Sequence, residues 1–125
     1  MNLFTKFLRL TEPKRSRICG VKFPYITKLI EVRKGDRQGW LRQTREGDAL
    51  QLVHTPNEKN ALLVYAYNIE LNCLLGKIND KLSEKLVYVF GNGFCVDGEV
   101  KKVTGDKILG CNIIIYNTRT LGGEL

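Results

Sequence analysis

At 125 residues and 14.3 kDa the chain has room for one core, and 43% hydrophobic with 26% charged residues excludes both a chain too polar to collapse and a membrane-embedded one. The longest nearly uncharged stretch, Leu62 to Leu75, is broken by Asn68, Glu70 and Asn72 and falls short of the roughly 20 apolar residues of a spanning helix. The net charge of +7 is uneven: residues 1–45 hold 12 Lys or Arg against 3 acids, the remainder 8 against 10. A surplus confined to one third of the chain points to a polyanionic partner, nucleic acid ahead of membrane.

In chain order, residues 1–16 read as a basic amphipathic arm. Leu3, Phe4, Phe7 and Leu8 share a helical face, and Glu12-Pro13 ends any helix there. The arm has no continuous apolar run and no small-residue cleavage site, so an intracellular, cytoplasmic protein is expected, with association with the nucleoid compatible. From Arg17 the pattern turns β-like, with Ile18, Val21 and Phe23 in a first strand closed by Pro24, and Ile26 to Val32 as a second. Gly35-Asp36 and Gly39 mark a loop, and Trp40 to Arg45 a single helical turn. Leu50 and Leu52 alternate with Gln51 in a strand, Thr55 to Asn60 is dense in turn formers, and Ala61 to Tyr67 and Cys73 to Ile78 follow as strands.

Asn79 is placed to cap a helix in which Leu82, Leu86 and Val89 or Phe90 recur at helical spacing until Gly91-Asn92-Gly93 stops it. Phe94 to Val103, interrupted at Asp97-Gly98, and Cys111 to Asn117 are the last strands, joined at Gly105-Asp106, and residues 118–125 form a tail. About six short strands and one or two short helices predict a mainly β, α+β domain over residues 17–117, in the form of a small curled antiparallel β-barrel.

Groups that could carry chemistry are sparse. Cys19, Cys73, Cys95 and Cys111 are widely spaced among β-type neighbours without a Cys-x-x-Cys pair, and they read as core thiols ahead of disulfides or metal ligands. His54, the single histidine, has no Ser or Cys nucleophile beside it and reads as a loop-edge residue. Asp97 and Glu99 are the only candidate pair of metal-binding or acid/base carboxylates, and a solvated turn suits them better. The expectation is therefore a protein that is not an enzyme and needs no metal or cofactor.

Four ordered stretches stand between about Ile18 and Asn117: Cys19-Gly20-Val21-Lys22-Phe23, Gly47-Asp48-Ala49-Leu50-Gln51-Leu52, the loop from Thr55 to Val64, and Leu75-Gly76-Lys77-Ile78 before a helix. Together with the order of elements, they resemble the HIRAN domain. The chain departs from the family pattern at Asn57, which replaces a loop aromatic, at Thr55 and Glu58, which replace Asn and Asp, and at Lys77, where an aromatic or His is usual.

What the resemblance implies is an OB-like or SH3-like barrel that holds single-stranded DNA at its 3′ end, in service of a larger repair or replication protein or a phage process. By the same resemblance, Lys22, Phe23, Asn57, Glu58, Asn60 and Lys77 would form the nucleic-acid site. Phe23 would stack on a base, Lys22 and Lys77 would meet phosphates, and Glu58 would accept a hydrogen bond from the terminal hydroxyl. Asn57, in place of the loop ring, leaves a second function open: a protein-interaction module that keeps the barrel and has lost the pocket.

Overall fold

The computed structural model describes residues 16–54 and 63–117. The arm expected over residues 1–16, apart from Ser16, the turn-rich loop with Asn57, Glu58 and Asn60, and the tail at 118–125 lie outside the described residues.

The first strand expected from the sequence is in fact a hairpin. β1 (Ser16–Ile18) pairs antiparallel with β2 (Val21–Phe23), Ile18 standing opposite Val21 and Ser16 opposite Phe23. Its two-residue turn places Cys19 at φ 51° and Gly20 at φ 80°. Positive φ at both central residues matches the right-handed twist of the flanking strands, and Gly20 adopts it without a Cβ penalty. Alternation sends Val21 and Phe23 into the core, each 1% exposed, and Lys22 outward.

β3 (Tyr25–Lys28), β4 (Ala49–His54), β5 (Val64–Asn68), β6 (Cys73–Lys77), β7 (Val96–Gly105) and β8 (Leu109–Asn117) form one antiparallel sheet in the order β3-β8-β7-β4-β5-β6. The sheet curls into a half-barrel, and its two edges meet where Ile30, just past β3, exchanges backbone hydrogen bonds of 2.8 and 2.9 Å with Lys77 at the end of β6. That crossing explains Gly76, since a Cβ there would stand 2.9 Å from the Ile30 carbonyl oxygen and 3.1 Å from Val32 Cγ1.

The second strand ends at Lys28, short of the expected Val32, because the chain turns from β8 toward β6. β7 runs unbroken through Asp97-Gly98, and its irregularity lies later, at the register shift between Val100 and Lys102.

Two helices complete the domain. α1 (Arg37–Gln43) begins before the expected turn at Trp40 and buries Leu41. Gln38 fastens it to the sheet by donating to the carbonyls of Val32 and Leu109 and accepting from Leu109 N at 2.8 Å. α2 (Asp80–Gly91) follows the sequence pattern: Asn79 caps it by accepting from Leu82 N at 2.9 Å, Leu82, Leu86 and Val89 are buried, and Gly93 at φ 81° stops it.

The Gly47-Asp48-x-Leu-x-Leu motif is a framework device. Gly47 turns at φ 89° and donates to the Val100 carbonyl, while Asp48 accepts from Arg45 N and from the side chain of buried Asn68. Leu50 and Leu52 then enter the core.

Candidate nucleic-acid interface

Of the residues expected to form the site, Phe23 and Lys77 are buried, Lys22 is exposed, and Asn57, Glu58 and Asn60 lie outside the described residues. Phe23, expected to stack on a base, is closed inside the core at 1% exposure, because hairpin alternation gives its position to the apolar face. Lys77, expected to meet a phosphate, is buried at 7% exposure and engaged by two carboxylates. Its Nζ lies 2.8 Å from Asp80 Oδ1 and 3.4 Å from Glu31 Oε2. The Asp80 hydrogen bond raises the Lys77 pKa above its ordinary value, so the ammonium is held in place as a charge partner within the fold.

Lys22 is exposed and stands directly opposite Arg17, also exposed, across the hairpin. Like charges opposite each other are unfavourable unless an anion lies between or over them. Asn57, Glu58 and Asn60 lie outside the described residues. The strand ends that their loop connects, His54 and Val64, are paired, and Ile78 donates to the Val64 carbonyl at 2.9 Å. The loop is therefore rooted at the end of the sheet where Lys77 leads into α2.

A groove opens at that same end. Its volume is about 200 Å³, and it is lined by Gly20 and Val21 of the hairpin, Tyr25 of β3, and Asn79, Lys81, Leu82 and Lys85 at the start of α2. The Asn79 side chain spans it, donating to Thr27 Oγ1 at 3.3 Å while capping the helix. Tyr25 follows Pro24 out of the core strand and is 38% exposed.

Lys81 and Lys85 are exposed, and neither has a carboxylate partner among the described residues. They lie four residues apart with Tyr88, itself 60% exposed, three further on, so one helical stripe carries two cations and an aromatic. The hairpin tip rests along this helix, the Asn92 side chain reaching Cys19 Sγ at 3.6 Å and the Tyr88 carbonyl at 2.7 Å. A groove with a partly exposed ring on one wall and, on the other, two ammonium groups that no described carboxylate neutralises can hold a planar base beside a phosphate.

Sequence reasoning missed Tyr25, Lys81 and Lys85. Their signal was present: polar positions at i, i+4 and i+7 of the predicted helix, away from Leu82, Leu86 and Val89, and a tyrosine just past Pro24. The cysteines divide. Cys73 and Cys111 are core thiols, and burial pushes Cys111 up to about 12, whereas Cys19 and Cys95 are exposed, contrary to expectation. Cys19 occupies a turn tip, where no inward face exists.

Asp97 is exposed and Glu99 buried, and among the described residues no group of three His, Cys, Asp or Glu side chains could hold a metal ion. None of the described helices is long and apolar enough to cross a membrane.

No family model matches the sequence, and no curated protein matches it. Solved structures do. A protein from Lactobacillus plantarum superimposes with a TM-score of 0.59 at 15% identity, covering 73% of this chain and 91% of that one. The HIRAN domain of human HLTF superimposes with a TM-score of 0.56 at 13% identity, covering 74% of each chain. At such low identity the agreement lies in the path of the backbone, and by that measure the fold of this chain is HIRAN-like.

Proposed function

We propose that this chain is a non-catalytic module that binds single-stranded nucleic acid, DNA by the HIRAN resemblance, in the groove between the β1–β2 hairpin and α2. One observation carries the proposal: on a HIRAN-like fold, the groove sets Tyr25 against Lys81 and Lys85, two exposed cations that no described carboxylate neutralises. Tyr25 supplies the stacking face first expected of Phe23, worth roughly 1–3 kcal/mol per base. Lys81 and Lys85 take phosphates, and the opposed pair Arg17 and Lys22 adds a cationic flank on the hairpin. A larger repair or replication protein is the natural partner for such a module.

Fluorescence polarisation with labelled single strands tests the proposal. With about three phosphates contacted, log affinity falls against log salt with a slope near −2. Absence of binding at low salt rejects it, and a protein partner retained through nuclease treatment and high salt would then favour the interaction module. Whether the loop holding Asn57, Glu58 and Asn60 selects a 3′ end is decided by comparing strands with a 3′-hydroxyl, with a 3′-phosphate, and closed into circles. Preference for the hydroxyl supports end capture, and equal binding to all three reduces the function to general strand binding.

A further inference from the structure

On the face of the sheet turned away from the core, three strands carry one row of polar side chains. Lys28 of β3 stands opposite Asn112 of β8, and Asn112 opposite Lys102 of β7. Cys111 and Ile113, which flank Asn112, are fully buried, so this row faces outward. Lys28 and Lys102 are exposed, and two strand spacings seat them roughly 10 Å apart. The neighbouring position on β8 is Gly110, where a Cβ would come within 3.3 Å of Lys28 Cε, so the lysine lies along the space a side chain would take. At the same end of the sheet Arg42 reaches from α1 to the Lys107 carbonyl in the β7–β8 turn, at 3.5 Å.

Lys28, Lys102, Arg42 and Lys107 have no ion-pair partner among the described residues, where the cations in ion pairs are Lys34 and Lys77. Of the nearby acids, Glu99 is buried and already engaged, and Asp106 in the turn forms no ion pair among the described residues. The surface is separate from the groove, because Tyr25 leaves β3 on the face shared with buried Ile115 and Lys28 leaves on the other. The row itself holds no aromatic ring: its neighbour across β3 and β8 is Ile26 beside Ile114, and the ring on the same face of β8, Tyr116, stands four residues from Asn112, so no ring stands beside Lys28 or Lys102 in the row for an unpaired base to stack on. An open line of cations without stacking groups suits a partner that presents its phosphates and keeps its bases paired.

We propose that this outer row binds the phosphate backbone of a nucleic-acid duplex, so that the domain sits at a junction between double-stranded and single-stranded nucleic acid. The junction geometry rests on the groove taking the single strand, as proposed above; the duplex contact does not. The test is a polarisation titration of the full chain with three probes: a blunt duplex, the same duplex with a single-stranded tail, and the tail alone. Two double variants are compared with the native chain, Lys28→Gln with Lys102→Gln and Lys81→Gln with Lys85→Gln, and thermal unfolding verifies that both are folded.

The outer variant is expected to bind the blunt duplex about tenfold more weakly, with a salt slope shallower by about 2, since a duplex releases roughly 0.9 counterion per phosphate contacted. Its affinity for the tail alone is expected to be unchanged. Unaltered duplex affinity in that variant, or no duplex binding by the native chain, overturns the proposal. Duplex binding that responds to Lys28 and Lys102 while the tail alone fails to bind keeps the outer row and removes the groove.

Discussion

Phe23 and Tyr25, two residues apart on either side of Pro24, have opposite roles that sequence alone did not separate. Phe23 fills the core, and Phe23→Ala is expected to cost about 3–5 kcal/mol of stability, the usual effect of emptying a buried aromatic position. Lost binding in that variant would therefore say nothing about stacking. Tyr25→Ala is expected to cost under about 1 kcal/mol, because the ring is 38% exposed, and to weaken single-strand binding about tenfold. Urea unfolding and polarisation on the same preparations check both, and a Tyr25 variant that binds like the native chain would remove the ring from the site. The Gly76-Lys77 pair was legible only as a motif, since its cause is the approach of Ile30 and Val32, distant in sequence. A Cβ forced against a backbone carbonyl makes Gly76→Ala destabilising by about 1–3 kcal/mol, which chemical denaturation would measure.

α2 was readable in full because its signals are local and agree: a capping Asn79, apolar residues at helical spacing, and a glycine stop. Asn79 does more than the pattern required, since its amide also bonds Thr27 on β3 and ties the helix start to the sheet edge beside the groove. Asn79→Ala is expected to lower stability by about 1 kcal/mol through loss of the cap, with Asn79→Ser restoring most of it; thermal unfolding of the two variants makes the comparison. The β1–β2 hairpin was not readable, because Cys19 is an unusual residue at positive φ and the run from Ile18 to Phe23 satisfies a single strand equally well. Phe23 entered the expected site through the family resemblance; alternation puts it on the same face as Val21, and the hairpin, which pairs it with Ser16, turns that face to the core.

At the scale of the molecule, a curled antiparallel sheet was legible from the number of short strands, but its order was not, because β3-β8-β7-β4-β5-β6 depends on contacts between distant segments. The closure of that sheet has an electrostatic component. Lys77 joins the two edges through its backbone, and its ammonium sits between Asp80 and Glu31, with Lys34 Nζ 2.7 Å from the other Glu31 oxygen. The Lys34 hydrogen bond, aided by Lys77, lowers the Glu31 pKa from its ordinary value of 4.5. A depressed carboxylate stabilises the fold fully above its unfolded value and loses that contribution as pH falls through the folded one. Lys77, raised above 10.5, contributes fully below that value and loses its share as pH rises through its elevated folded value. Stability is therefore expected to hold a plateau between these limits and to fall on both sides. Glu31 is partly exposed, so its share is at most about 1 kcal/mol. Glu31→Gln lowers the plateau by that amount and leaves the acid limb correspondingly shallower, so native and variant curves converge well below pH 4.5. Urea midpoints across pH measure the difference, and a gap between the two curves that persists unchanged into strong acid would show that the ion pairs do not help close the sheet.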